Sequence, residues 1–154
     1  MALHPDFRDL LSAFAREQVR YLLIGGYAVS FHGRPRFTKD IDLWIAGDAE
    51  NLTRVHAALT LFGAPPSVLQ DLAALGPDEI LYMGKPPVRV DLLRSIPGAD
   101  FDEAFTRRVE TEWDGVPVLV IALDDLIAAK RAAGREQDRL DVIALERARA
   151  QRRP

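Results

Sequence analysis

The stretch "FTKDIDLWIA", residues 37–46, places two aspartates at the start of a run that is typical of a buried β-strand. Alternate residues of a strand point to the same face, so Asp40 and Asp42 share one side while Ile41 and Leu43 share the other. Two carboxylates so close together beside an apolar run are costly unless a positive charge lies between them. The stretch therefore predicts that a lysine, an arginine or a metal ion is bound at this point.

A third carboxylate lies in "VRVDLL", residues 88–93, which has another strong strand pattern. If this strand pairs beside the first one, Asp91 joins Asp40 and Asp42. Three converging carboxylates repel one another, and hard divalent cations such as Mg²⁺ relieve this repulsion and prefer oxygen ligands. The alternative for any one aspartate is a surface position at a strand edge. For the set of three, we predict a metal site.

Two glycines stand upstream of the aspartate pair, in "IGGYAVSFHG", residues 24–33. Gly25 and Gly26 fall between an apolar strand and a short helix, where a glycine turn exposes backbone N–H groups that suit a phosphate. A tight turn without a ligand is the alternative. Arg36 and Lys39 follow at short distance. Glycines and bases for the phosphates, next to carboxylates for a metal, are typical of a nucleoside-triphosphate site.

Helical and strand patterns alternate along the chain and are joined by short turns. Helices are predicted over residues 5–18, 27–33, 49–63, within 64–78, over 99–108, 123–134 and 135–150. Strands are predicted over residues 21–24, 41–46, 79–84 and 88–93, with a hairpin over 109–122. The pattern favours an α+β fold in one domain over residues 1–154, with a small mixed β-sheet flanked by helices and a helical C-terminal segment, about residues 123–150, packed on it.

Composition narrows the class of protein. The chain has 154 residues and no cysteine, which excludes disulfides, thiolate metal sites and cysteine nucleophiles. A net charge of −3 argues against a surface that coats nucleic acid non-specifically. No signal-peptide core and no membrane-length apolar run is visible, so we expect a cytoplasmic protein without a membrane partner.

Together these motifs resemble the nucleotidyltransferase superfamily with the DNA polymerase beta-like palm. The resemblance lies in "GG" at 25–26, "DID" at 40–42 and "VD" at 90–91. The longer string "GGYAVSFHGRPRFTKDID" is similar to a branch of small bacterial nucleotidyltransferases, some of them in toxin–antitoxin or abortive-infection systems, and to the head of CCA-adding enzymes. "LIAAKRAAGREQDRLDVIAL" resembles the closing motif of the same branch, so the match runs from about residue 20 to residue 146.

The resemblance implies transfer of a nucleoside monophosphate from a nucleoside triphosphate, such as ATP, to an acceptor, with release of pyrophosphate. Asp40 and Asp42 would hold two Mg²⁺ ions. Asp91 would bind one metal ion and could serve as general base for the acceptor hydroxyl. Gly25 and Gly26 would bind the triphosphate, in the absence of the serine that other members carry after the first glycine.

The same resemblance assigns nucleotide binding to residues outside the strand motifs. Lys130 would reach a phosphate as a point charge, and Asp138 belongs to the accompanying R-x-x-D-x-x-D motif. Arg36 and Lys39 are expected to bind the nucleotide because they follow the two glycines at short distance. The residues alone leave an alternative open. Lys130 could be a solvated helix lysine, and the motif from Arg135 could be a surface ion-pair ladder of little energetic value.

Three functions remain open at the level of sequence. The first is an Mg²⁺-dependent nucleotidyltransferase whose acceptor is an RNA such as tRNA, a protein hydroxyl or a small molecule. The second is a non-catalytic nucleotide-binding protein of the same fold, for example an antitoxin or a regulator bound to a cognate partner. The third is two-metal hydrolysis of a phosphate ester, which the carboxylates permit but which does not need the glycine turn.

Overall fold

The chain folds into seven helices and six strands in the part that the computed structural model describes, which is residues 2–35, 37–85 and 88–152. The helices are α1 Pro5–Arg16, α2 Gly25–His32, α3 Ala49–Phe62, α4 Pro66–Ala73, α5 Phe101–Thr106, α6 Leu123–Ala133 and α7 Glu136–Arg152. The strands are β1 Tyr21–Ile24, β2 Asp40–Ile45, β3 Ile80–Lys85, β4 Val88–Leu93, β5 Val109–Trp113 and β6 Val116–Val120.

All six strands form one mixed sheet in the order β3-β4-β2-β1-β6-β5. The pairs β2–β4 and β1–β6 are parallel, and the remaining neighbours are antiparallel. The α+β fold with a mixed sheet and flanking helices is therefore confirmed. The two parallel pairs need long crossovers, which the helices between those strands supply.

Local sequence signals account for several element boundaries. α3 begins after Asp48, whose side chain accepts a hydrogen bond from the backbone N–H of Asn51 at 3.1 Å, and it ends at Gly63 in the left-handed conformation. The predicted hairpin is confirmed, with Asp114 and Gly115 both at positive φ between β5 and β6. Both kinds of boundary depend only on neighbouring residues, which explains why the sequence signals suffice.

The core lies at the centre of the sheet and beneath the helices packed on it. Every residue of β1 is buried, and α1 adds a buried apolar face that packs against α3 and β6. Tyr21, Phe14 and Trp44 are among its largest fully buried side chains. β2 thus carries large apolar residues on a strand whose first half bears the two aspartates, which fixes those carboxylates on a rigid support.

α6 and α7 pack against each other, and both contact α2. α6 ends at Gly134, which adopts the left-handed conformation and lets the chain turn into α7. Among the described helices, none combines the length and the apolar composition needed to cross a membrane.

Candidate active site

The strand register brings the three predicted carboxylates to one place. In the parallel pair of β2 and β4, Asp42 is the direct neighbour of Asp91, and Asp40 is the neighbour of Arg89. Neighbouring residues on paired strands point to the same face of the sheet, so these four side chains form one polar row on one face. The conditional expectation that Asp91 joins the aspartate pair is met by this register.

Arg89 occupies the space between two of the carboxylates. Its Nε and Nη2 atoms lie 2.9 and 3.0 Å from the two oxygens of Asp91, and Nη2 lies 3.1 Å from Oδ2 of Asp40. The guanidinium also lies over the ring of Tyr82, 5.0 Å from its centroid. The sequence placed Arg89 on the same strand face as Asp91, but its role went unpredicted, because the contact with Asp40 exists only through strand pairing.

Asp42 is the carboxylate of this row whose negative charge is opposed least by nearby cations. Burial raises the pKa of Asp42 to about 7, the nearby charges of Asp91 and Asp40 add to the rise, and the more distant charge of Lys130 only partly opposes it. A further positive charge close to Asp42 would lower this pKa and favour the ionised carboxylate. A divalent cation would supply that charge.

The two glycines begin α2 rather than form a separate turn before it, which differs from the predicted helix start at residue 27. Gly25 has φ +67, and a Cβ atom on it would overlap the carboxylate of Asp42. The N-cap position is held by Ile24, whose side chain cannot accept a hydrogen bond. The first N–H groups of α2 thus remain uncapped by that side chain next to Asp42, an arrangement that suits a phosphate.

The facing wall of the site comes from α6 and α7. Lys130 Nζ lies 3.3 Å from Oδ1 of Asp138 and 3.0 Å from Oδ2 of Asp141. Asp138 also accepts hydrogen bonds from the backbone N–H of Arg135 at 3.2 Å and from its Nε at 2.7 Å. Asp138 and Asp141 are only 1% and 3% exposed, so the alternative of a solvated surface ladder is wrong for them.

An open cleft with a volume of about 540 Å³ lies between the two walls. Seven of the predicted site residues line it: Gly25, Gly26, Asp40, Asp42, Asp91, Lys130 and Asp138. Lys39 is exposed and is not part of the lining, and Arg36 lies outside the described residues. Arg135, the first residue of the R-x-x-D-x-x-D motif, lines the cleft as well, and so do Arg89 and Gln137, for which no role was predicted.

One side of the cleft is apolar. It is lined by Ile80, Tyr82, Leu93, Ile96 and Pro97, next to the carboxylate row. Tyr82 is 55% exposed, and its register partner on β4 is Asp91, so the ring stands on the same face beside that carboxylate. The cleft thus combines a charged half and an apolar half, as ligand sites commonly do.

The residues present fit a hard divalent cation, although they are not arranged around one. Among the described residues, no group of three or more His, Asp or Glu side chains has the arrangement of a metal site. The donor set is nevertheless all oxygen, and Oδ1 of Asp40 is buried without a hydrogen-bond partner in the part of the chain that the structure describes. This oxygen of Asp40 lies near Asp42, whose pKa is raised. Both features are relieved when a divalent cation binds between the carboxylates.

A second, smaller cleft of about 250 Å³ lies on α7 and beyond the end of α2. It is lined by Gly33, Arg34, Leu140, Ile143, Ala144, Arg147, Ala148 and Gln151. No carboxylate is among these lining residues, so this cleft lacks the acidic groups that would hold a metal ion.

The sequence matches the model of a known protein family. Residues 3–148 match the model of a protein family described as "Nucleotidyltransferase of unknown function (DUF6036)". No curated protein matches the sequence.

Two solved structures share the fold. The lincosamide antibiotic adenylyltransferase LnuA, bound to lincomycin, is 18% identical with a TM-score of 0.50, covering 94% of this chain and 97% of its own. An antigenic nucleotidyltransferase-like protein from Paracoccidioides brasiliensis is 14% identical with a TM-score of 0.53, covering 100% of this chain and 80% of its own. At these identities the likeness concerns the fold alone.

Proposed function

The chain belongs to the nucleotidyltransferase family DUF6036, and on this premise we propose that it moves a nucleoside monophosphate from a nucleoside triphosphate to an acceptor hydroxyl in an Mg²⁺-dependent reaction. A bond forms between the acceptor oxygen and the α-phosphorus, and the bond from that phosphorus to the β-bridging oxygen breaks. Pyrophosphate leaves with the electron pair, and the proton of the acceptor hydroxyl is taken up by a carboxylate of the site.

A single observation carries this proposal. Asp42 and Asp91 are direct neighbours across paired strands, with Asp40 two residues before Asp42, and Asp42 lies against Gly25 at the start of α2. Carboxylates for a cation and uncapped N–H groups for a phosphate therefore meet in one cleft. Nucleotidyl transfer uses both, whereas hydrolysis of a phosphate ester needs only the first.

The metal role rests on the carboxylate row. Asp40 and Asp42 would hold two Mg²⁺ ions, with Asp91 as a ligand of one of them and as the general base. When bound, Mg²⁺ neutralises the phosphate charge and acts as a Lewis acid on the reacting phosphate. The fit is supported by the oxygen-only donor set and by the uncompensated charge around Asp42.

The triphosphate is proposed to lie across the charged half of the cleft. The backbone N–H groups at Gly25 and Gly26 would hold one phosphate, and Lys130 would meet another as a point charge. Asp138 would act by holding Lys130 in place, which the 3.3 Å ion pair supports. Lys39 and Arg36, which shortly precede Asp40 in the chain, are proposed to bind the nucleotide on the basis of the sequence pattern.

The acceptor class is the open part of the proposal. RNA such as tRNA, a protein hydroxyl and a small molecule are the candidates, and the solved lincosamide adenylyltransferase makes ATP the first nucleotide and small hydroxyl compounds the first acceptors to test. We also propose that residues 1–154 act as one domain. A cognate toxin or antitoxin partner and a cytoplasmic location remain predictions.

The test is label transfer from each of the four α-labelled nucleoside triphosphates. Purified protein is incubated with Mg²⁺ and with total RNA, with itself or with a panel of small hydroxyl compounds, and each reaction is repeated in EDTA. Asp42→Asn serves as the site variant and Asp102→Asn, on exposed α5, as the matched control. Label that depends on Mg²⁺ and is lost only in Asp42→Asn supports the proposal. Absence of label with every acceptor, or equal label in Asp42→Asn, contradicts it.

A further inference from the structure

Arg89 contacts two of the three carboxylates in the row, and its contacts use three of the four oxygens of Asp40 and Asp91. Its guanidinium engages both oxygens of Asp91 and Oδ2 of Asp40 at 2.9 to 3.1 Å. Oδ1 of Asp40 is left without a hydrogen-bond partner among the described residues. A cation that binds Asp40 and Asp91 together must therefore compete with the guanidinium for these oxygens and for the charge of the two carboxylates.

We propose that Arg89 is a built-in competitor for the divalent cation, which holds Asp40 and Asp91 together in the metal-free protein and is exchanged when the cation binds. The inference rests on the proposed function, because it assumes that this carboxylate row is the metal site. It assigns to Arg89 a positioning role in metal entry, which no sequence motif indicates.

The structure provides a place for the displaced guanidinium. The ring of Tyr82 lies 5.0 Å from the guanidinium carbon and is 55% exposed in the cleft. A planar guanidinium stacks readily on an aromatic face, and the side chain of Arg89 is itself 33% exposed, so a rotation toward the open cleft can keep the contact with the ring and leave the charge solvated. The exchange that we propose is therefore a movement of the side chain alone.

The displaced guanidinium would gain a new partner in the nucleotide. Arginine pairs with phosphate through two parallel hydrogen bonds, and Arg89 lines the same cleft as Gly25 and Lys130. The cation alone must break the ion pairs of Arg89, whereas the cation together with a nucleotide replaces them. Arg89 therefore makes metal binding weak without nucleotide and couples it to nucleotide binding.

The experiment measures binding of Mn²⁺, used as the probe ion, to the nucleotide-free protein through the electron paramagnetic resonance signal of the free ion. Arg89→Met is expected to bind Mn²⁺ roughly tenfold more tightly than the native protein. In this variant the carboxylates can bind the ion without first losing their ion pairs with Arg89. Arg108→Met is the matched control, since Arg108 also pairs with a carboxylate at 2.9 Å and lies over an aromatic ring at 4.1 Å, but outside the cleft.

Two further measurements separate competition from a purely structural role. Arg89→Lys keeps the charge but lacks the planar fork, so its gain in Mn²⁺ affinity should be intermediate, and it serves if Arg89→Met does not fold. Addition of ATP should tighten Mn²⁺ binding more in the native protein than in either variant, because the coupling runs through the freed guanidinium.

Unchanged or weaker Mn²⁺ binding in both Arg89 variants overturns the inference, as does an equal gain in Arg108→Met. The failure of the proposed function is a separate result, because that function is tested by label transfer in the native protein. Label transfer with unchanged Mn²⁺ affinity in the variants removes the competitor role and leaves the transferase. A gain in Mn²⁺ affinity without any label transfer supports the competitor role and removes the transferase.

Discussion

Two acidic clusters face each other across the cleft, and their electrostatics differ. On α7, Asp138 and Asp141 are buried against Lys130, and Arg135 adds a second cation to Asp138. On the strands, Arg89 pairs with Asp91 and Asp40, and Asp42 lies next to them under the weaker influence of Lys130. Burial alone would raise the pKa of Asp138, but hydrogen bonds from Arg135 and Lys130 outweigh it, so the pKa is lowered. For Asp42 the pKa is raised to about 7.

The difference shows how one residue type serves two purposes. A buried carboxylate with matched cations is held in one geometry, and losing either partner leaves an uncompensated charge. A buried carboxylate without matched cations pays a cost in the free protein that a bound cation removes. The helix cluster, Asp138 and Asp141 with Lys130, is therefore suited to holding α6 against α7. The strand cluster, Asp40, Asp42 and Asp91, is suited to binding a cation.

The largest expected effect comes from removing the charge of Asp42. Asp42→Asn should lower nucleotidyl transfer by roughly 10³-fold or more, because residues of a catalytic unit act together. The substitution is isosteric, so the fold should persist, as judged by circular dichroism. Label transfer within tenfold of the native rate would place the chemistry elsewhere.

Breaking the helix cluster should affect stability more than any other substitution in the comparison. Asp138→Ala removes one of the two carboxylates that pair with the buried Lys130 and should cost about 3–5 kcal/mol in the free energy of unfolding. Because the two groups are coupled, Lys130→Met combined with Asp138→Ala should cost less than the sum of the single changes. Urea denaturation of the four proteins measures both quantities. A loss of less than about 1 kcal/mol in Asp138→Ala, as for an exposed ion pair, would show that the ion pair of Lys130 and Asp138 does not stabilise the fold as described.

The raised pKa of Asp42 in the strand cluster should make the free energy of unfolding depend on pH. The folded pKa of Asp42, about 7, lies above the ordinary aspartate value of 3.8, so the folded state holds this proton more tightly than the unfolded chain. Its stabilising contribution is complete below about pH 4 and is lost as the pH rises to about 7. Without metal, the native protein should lose on the order of 2–4 kcal/mol relative to Asp42→Asn over this range. Parallel pH profiles of the two proteins in EDTA would contradict the shift.

The smallest expected effect is stabilisation by Mg²⁺ alone. Mg²⁺ at a few times its dissociation constant should add about 1 kcal/mol at pH 7.5, since only the folded chain assembles the site. The increase should vanish in Asp42→Asn and persist in Asp102→Asn, as measured by thermal unfolding in Mg²⁺ or EDTA. An equal increase in all three proteins would indicate a general salt effect.

Sequence patterns were sufficient where the physics is local. The strand period places Asp40 and Asp42 on one face, and Asp114-Gly115 predicts the hairpin, because each depends on adjacent residues. The position of Gly25 was predicted, but its place in the first turn of α2 was not, since the sequence does not show how closely Asp42 approaches it.

Sequence patterns were insufficient where distant segments meet. The contact of Arg89 with Asp40 follows from strand register, and the burial of Asp138 follows from the packing of α6 on α7. The predicted first helix was also two residues too long, because α1 ends at Arg16 and Gln18 adopts φ 55 without the glycine that usually marks such a position. Neither register nor packing is encoded within a short window of sequence.

Calorimetric titration of ATP into the native protein and into Asp42→Asn, each with Mg²⁺ and with EDTA, tests the central claim most directly. If the strand cluster is the cation site, ATP binds the native protein much more tightly with Mg²⁺, and this dependence disappears in Asp42→Asn while the helix cluster remains intact. If ATP binds the native protein equally well in EDTA, or if Asp42→Asn keeps the Mg²⁺ dependence, the strand carboxylates are not the site of the metal ion.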